Sequence, residues 1–263
     1  MSDAVLLDVD EGVATVTLNQ PERRNALSAE ISAGIQDALD DVVAGDARCV
    51  VVTGAGGAFC AGGDIDRMRE AAETQPPVHE RAADLERMTS GLITRLVELP
   101  VPTVAKIDGP AVGAGANLAI ACDVQVASAR SVFGFVFRQV GLSVDAGTSY
   151  LLPRLVGENV AKELVFTGEI FDAERAADLG VVNHVYPDEA FDERADELVG
   201  EIAAGPTVAL GRAKKLLGTG LEKSLRQALR DEATAQGLVF ASADHEEGVE
   251  AFLEGREPHF EGR

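Results

Sequence analysis

The chain of 263 residues carries 44 Asp and Glu against 23 Lys and Arg, a formal net charge of −21, and is 46% hydrophobic and 25% charged. That length and composition suit one large globular domain with an appendage, or two modest ones, and exclude extended disorder. The acidic balance argues against a nucleic-acid or anionic-membrane partner, because both need clustered cations, and with only five lysines any anionic ligand must be met by local charges.

No run approaches the roughly 18 apolar residues of a membrane span, and the start "MSDAVLLDVDEG" lacks the basic-then-apolar order of a signal peptide. A cytoplasmic location is therefore expected. Either a high-salt cytoplasm or simple composition bias would account for the excess of acid. Cys49, Cys60 and Cys122 have neither CxxC spacing nor an even count and read as reduced, buried small hydrophobes.

In chain order, "AVLLDVD" and "VATVTLN" read as strands of a hairpin turning at Glu11 and Gly12. Ser28 then stands as N-cap of a helix with the stripe Ile31, Ile35, Leu39, Val42 and Val43, ending at Gly45. The segment "ARCVVVTGAGGAFCAGGD" predicts a buried strand entering a glycine-rich loop. A short helix follows from Ile65, "TQPPVH" reads as an exposed loop, and Glu80 to Leu99 as a longer helix. Next, "VPTVAKIDGPAVGAGANLAIACDVQVAS" predicts strand, glycine-rich turn, small-residue helix and strand. "VVNHVY" is the last strand, and from Asp188 onward the chain reads as helix. This order predicts an α/β core over residues 1–204 and a helical, oligomer-forming region over residues 205–263, beginning near Gly205 and Pro206.

The glycine-rich turns are not nucleotide loops. Neither has a GK[ST] ending, and Phe59 and Leu118 stand where the third glycine of GxGxxG belongs. There is no GxSxG elbow, "HEEGV" at His245 is not HExxH, and four scattered histidines give no metal cluster. Two such turns can aim backbone N–H groups at one negatively charged oxygen, or they can serve only tight turning and close packing. Asp145, in "GLSVDAGTSYLLPRLVG", is likewise either the N-cap of the following helix or an acid-base group.

"NAL" at Asn25 to Leu27, "AFCAGGDI" at Ala58 to Ile65, "IDGPAVGAGANLAIACDV" and "GLSVDAGTSYLLPRLVG", in this order and spacing, resemble the crotonase family of enoyl-CoA hydratases and isomerases. The likeness runs from about Val5 through the C-terminus. It implies a β-β-α spiral core with a helical C-terminal part, assembly as a homotrimer or hexamer, and acyl-CoA thioester substrates. No cofactor is implied beyond the coenzyme A of the substrate. By resemblance, the thioester oxygen sits between the backbone N–H groups of Gly63 and Ala114. Arg23, Arg24 and Arg67 lie at or beside the stretches that line the coenzyme site in relatives. Backbone at Ala26, Ala61, Asp64 and Ile65 would hold adenine and pantetheine. Phe260 resembles an aromatic that closes the adenine pocket of a neighbouring subunit, although Glu261 stands where many relatives have lysine.

In the hydratases of this family two glutamates hold and deprotonate water; here those positions are Asn117 and Phe137, and neither can take a proton. Phe137 would instead shape an apolar acyl pocket. Asp145 occupies the place of the acidic residue in double-bond isomerases and in ring-opening or ring-rearranging members. One carboxylate suffices to move a proton from C2 to C4 of a 3-enoyl thioester. Val140, Leu142 and Val144 would desolvate it and raise its pKa, whereas a helix start would lower it. Asp145 with "TSY" also resembles aryl-CoA dehalogenases, but Ser90 and Phe137 replace the histidine and tryptophan used there. Hydration by a non-standard residue set, ring rearrangement, dehalogenation and a non-catalytic acyl-CoA-binding protein are the alternatives to double-bond isomerisation.

Overall fold

The computed structural model describes residues 3–263. Strands β1 (Val5–Asp10) and β2 (Val13–Leu18) pair antiparallel with Val5 opposite Leu18, and the chain reverses through Glu11 and Gly12 at φ 46° and 82°. Two consecutive left-handed residues match the twist of the flanking strands. Ser28 caps helix α1 (Ala29–Ala44): its hydroxyl accepts the Ile31 N–H at 3.2 Å, a contact of about 1 kcal/mol. The buried face comprises Ile31, Ile35, Ala38, Leu39 and Val42. Val43, expected in this stripe, is exposed. One residue advances about 100° around a helix, which carries it off the face that Val42 occupies.

The remaining strands are β3 (Cys49–Gly54), β4 (Thr103–Ile107), β5 (Pro110–Val112), β6 (Val124–Ser128), β7 (Val132–Gly134), β8 (Ile170–Asp172) and β9 (His184–Tyr186). They form a six-stranded sheet, β1-β2-β3-β4-β6-β9, parallel from β2 onward, and a three-stranded sheet, β5-β7-β8. Helix α2 (Ile65–Thr74) starts where expected. The predicted loop at "TQPPVH" is shorter than its composition suggested, because Pro77 serves as N-cap of α3 (Val78–Leu85). A π-helical turn at Glu86–Ser90 joins α3 to α4 (Gly91–Glu98).

Twice the chain passes from the large sheet to the small one and then into helix: β4 to β5 to α5 (Ala114–Ile120), and β6 to β7 to α6 (Thr148–Val156). This repetition is the expected β-β-α spiral. Helices α7 (Glu158–Thr167) and α8 (Ala173–Asp178) lead to β9, and α9 (Phe191–Ala203) packs on the large sheet through Phe191, Ala195 and Val199. The main core lies on the other side, where α1, α4 and α5 bury Ile35, Leu92, Leu96 and Leu118.

Helices α10 (Thr207–Gly220), α11 (Leu225–Val239) and α12 (Ala243–Glu254) complete the chain. Lys214 of α10 pins them to the core, with Nζ 2.8 Å from Asp123 Oδ2 and donating to the Leu96 and Val101 carbonyls at 3.2 Å. The helical reading from Asp188 onward fails beyond Glu254. Gly255 at φ 68° ends α12, and buried Asp244 accepts the Glu261 and Gly262 N–H groups at 2.7 and 3.0 Å, folding the tail back. All three cysteines are buried and free. Burial pushes the Cys49 thiol up to about 12 and Cys60 to about 11, so both stay protonated and inert near neutral pH. Among the described residues no helix is long and apolar enough to cross a membrane.

Candidate active site

The first glycine-rich loop follows β3 and is shaped by Asn25, a wholly buried residue at φ 54°. Its Nδ2 donates to the Ala55 and Ala58 carbonyls at 2.9 and 2.7 Å, and its Oδ1 accepts the Gln20 N–H at 2.9 Å. Both ends of this amide are thereby satisfied, as a buried polar group requires. The loop then bonds to its neighbours, Ala61 N–H to the Arg24 carbonyl at 2.9 Å and Leu27 N–H to Gly62 at 2.7 Å. The second loop is stitched to it through Cys60, which donates to Pro110 at 3.0 Å and accepts from Val112 at 3.1 Å.

This seam explains the glycines. A Cβ at Gly115 would lie 2.1 Å from the Cys60 carbonyl oxygen, and one at Gly62, where φ is 100°, would lie 2.9 Å from that of Val112. Close packing and amide presentation are thus the same feature. Because the loops touch, a Cβ at Gly62 would stand 3.8 Å from the Ala114 nitrogen, so the Gly63 and Ala114 amides are brought into one neighbourhood. Among the described residues neither N–H has a backbone acceptor in these loops, and two amide donors without protein acceptors can serve a ligand oxygen.

Asp145 does not cap α6 with its side chain. The N-cap is Gly147 at φ 82°, with no side-chain capping bond, and Ala146 before it is at φ 48°. These two left-handed residues turn the Asp145 carbonyl toward the helix start, where it accepts the Thr148 N–H at 2.9 Å. The Asn117 Nδ2 also donates to that carbonyl, at 3.1 Å, and the Thr148 hydroxyl lies 2.8 Å from it and 2.8 Å from Asn117 Oδ1. The carboxylate is left over: Oδ1 is buried without a hydrogen-bond partner. Burial, with no charged neighbour contributing, pushes the Asp145 carboxyl above the ordinary carboxylate range. Of the three apolar neighbours expected to desolvate it, Val140 and Leu142 are about half exposed and only Val144 is largely withdrawn from water. The reason is the short 3₁₀ turn Phe137–Val140, which brings the chain to the surface before Gly141 reverses it.

Phe137 itself is buried at the head of that turn, and Asn117 is wholly buried on α5. Ser90 closes the π-helical turn.

At the coenzyme-side stretches the cations are unequal. Arg23 pairs with Asp64 at 2.8 Å and Asp66 at 3.4 Å, while Arg67 lies 3.7 Å from Asp84. Arg24, exposed and at φ 50°, makes no ion pair among the described residues. Asp64 also caps α2, accepting the Asp66 N–H at 3.0 Å, and Ile65 opens that helix exposed. A cavity of about 620 Å³ beside them is lined by Asp64, Asp66, Arg67, Arg69, Glu70 and Glu73, among others, so carboxylates outnumber guanidinium groups there. Ala26 and Ala61 lie on the bonded loops described above. Phe260 is far along the chain, half-buried against Gly248 of its own α12. Sequence reasoning assigned no role to Asn25 or Thr148, although both stand inside the quoted motifs.

Comparison with known proteins agrees with this geometry. Residues 8–263 match the family model described as enoyl-CoA hydratase/isomerase. The 1,2-epoxyphenylacetyl-CoA isomerase of Escherichia coli K12 is 36% identical over 264 residues, covering 100% of both chains. An enoyl-CoA isomerase/hydratase of Mycosarcoma maydis is 33% identical, over 96% of this chain and 93% of its own. The crystal structure of an enoyl-CoA hydratase from Mycobacterium smegmatis superposes with a TM-score of 0.91 at 33% identity, covering 98% of this chain and 99% of that one. With its two-sheet spiral, stitched glycine-rich loops and a family match across nearly its whole length, this chain belongs to the enoyl-CoA hydratase/isomerase family.

Proposed function

We propose that this protein shifts a double bond in an acyl-CoA thioester, converting a 3-enoyl to a 2-enoyl chain with Asp145 as both base and acid. The observation that carries this reading is the Asp145 carboxylate, half-buried, with an enclosed Oδ1 that has no hydrogen-bond partner, and pushed by burial above the ordinary carboxylate range. A carboxylate tied up by a helix start could not move a proton; this one is free to do so. The Gly63 and Ala114 amides stabilise the enolate oxygen that forms when C2 loses its proton. Asp145 then returns the proton to C4. Asn117, an amide bonded at both its nitrogen and its oxygen, and Phe137, an apolar ring, leave no second base for activating water at these two positions, which favours isomerisation over hydration. The reaction needs no group beyond these residues and the thioester.

Arg24 offers the coenzyme phosphates an uncompensated charge, with Arg23 and Arg67 contributing after exchanging their carboxylate partners. The C-terminal helices support self-association as a homotrimer or hexamer, since Leu217 at 80% and Phe252 at 85% exposure stand with Leu221, Leu225 and Leu253 as apolar surface.

A second reading is rearrangement of an epoxidised aromatic ring. The name of the Escherichia coli relative favours it, and that protein aligns over the whole of both chains. Incubating the purified protein with 3-enoyl-CoA, 2-enoyl-CoA and 1,2-epoxyphenylacetyl-CoA, and identifying products by NMR, separates the readings. A 2-enoyl product from the first substrate, without a 3-hydroxy product from the second, supports double-bond isomerisation. Turnover of the epoxide alone selects the second reading.

A further inference from the structure

Asn117 and Thr148 meet the main chain of Asp145, not its carboxylate. The Asp145 carbonyl can only accept, so the Asn117 atom 3.1 Å away is the amide nitrogen, and Oδ1 is the one 2.8 Å from the Thr148 hydroxyl. That hydroxyl is equally near the Asp145 carbonyl but has one proton. The carbonyl already receives two N–H donors, from Asn117 and from Thr148, whereas Oδ1 of Asn117 has no other donor among the described residues. The proton therefore lies between Thr148 and Asn117. A closed ring results, in which Thr148 orients Asn117 and both hold the Asp145 peptide. Asn117 and Thr148 are buried at 0% and 2% exposure, so water does not compete for these bonds.

The ring matters because, among the described residues, no hydrogen bond holds the carboxylate Oδ1. Oδ1 of Asp145 has no partner, and the next residue, Ala146, sits in the left-handed region at φ 48°, a conformation that surrounding structure must maintain. A proton carrier loses rate when it is displaced by as little as an ångström. We propose that Asn117 and Thr148 are positioning residues that, through their bonds to one another and to the Asp145 carbonyl, aim an otherwise unheld carboxylate at the reacting carbon. This rests on the reading of Asp145 as the proton carrier. The task needs an amide at position 117, since a carboxylate there would oppose the Asp145 carbonyl oxygen with another acceptor.

Thr148→Val removes the hydroxyl and keeps the branched shape, Thr148→Ala removes it without bulk, and Thr148→Ser restores it. With 3-enoyl-CoA as substrate and folding checked by circular dichroism, kcat is expected to fall about tenfold or more in the valine and alanine variants, with KM within about twofold. Thr148→Ser is expected within about threefold of wild type. A kcat near wild type in both hydroxyl-free variants, or loss in the serine variant equal to theirs, or a change confined to KM, overturns the positioning role. If Asp145→Asn is inactive in the same assay, the reading of Asp145 survives that failure. Wild-type activity in Asp145→Asn overturns both.

Discussion

The Asp145 carbonyl accepts the side-chain amide of Asn117 at 3.1 Å, 28 residues away in sequence, while the carboxylate of the same aspartate has a buried oxygen with no partner. One residue thus has its backbone held and its side chain left free.

Burial raises the Asp145 carboxyl. As a base it must begin ionised, so kcat should rise with pH along a limb above the ordinary aspartate value of about 4. The stability coupling has a definite sign. A carboxyl raised in the folded state favours folding while protonated, and that contribution is lost as pH rises through the raised value. Asp145→Asn should therefore melt higher than wild type near pH 7, because the amide carries no charge to bury. The difference should vanish in melts run below the ordinary aspartate pKa.

Arg24→Ala should raise KM for acyl-CoA about three- to tenfold, an effect that shrinks as salt screens the exposed charge. Arg23→Ala should do less, because Asp64 and Asp66 already compensate that guanidinium. Initial rates at low and high ionic strength compare the two, and a larger effect at Arg23 would reverse the assignment.

Gly115→Ala puts a methyl where only 2.1 Å separates it from the Cys60 carbonyl oxygen. The two loops must part, and the amides at Gly63 and Ala114 part with them. A loss of about a hundredfold or more in kcat is expected, together with a lower melting temperature. A variant with full activity would show that the loop seam does not set the amide positions.

Lys214→Met should lower stability by about 1–2 kcal/mol, since it takes a donor from the Leu96 and Val101 carbonyls and the cation from Asp123, which keeps its bonds from Thr103. Lys214 is only 9% exposed, which sets it apart from surface pairs of little consequence. Limited proteolysis should then cut between the core and α10 before the core itself.

Local chemistry was readable wherever it decided the structure. The Glu11–Gly12 reversal, the Ser28 cap and the start of α2 at Ile65 depend on neighbours in sequence. The face of α1 was legible too, apart from Val43, because helical spacing fixes it. The role of Asp145 as a cap was not decidable, since the outcome turns on φ at Ala146 and Gly147, which hands the helix start a carbonyl in place of a carboxylate. The bonds from Asn117 and the pairing of Arg23 with Asp64 join residues 28 and 41 positions apart, and spacing along the chain carries no such information. The tail after Gly255 departs from a helix because its fold depends on Asp244, a carboxylate at the start of α12.

Whether a single carboxylate carries the proton is decided by the turnover of Asp145→Asn on 3-enoyl-CoA, with thioester binding measured beside it. If Asp145 is the proton carrier, binding stays within about threefold of wild type and kcat falls by about 10³ or more, within the range of general acid–base contributions. A mutant that binds and isomerises at a rate close to wild type would contradict it.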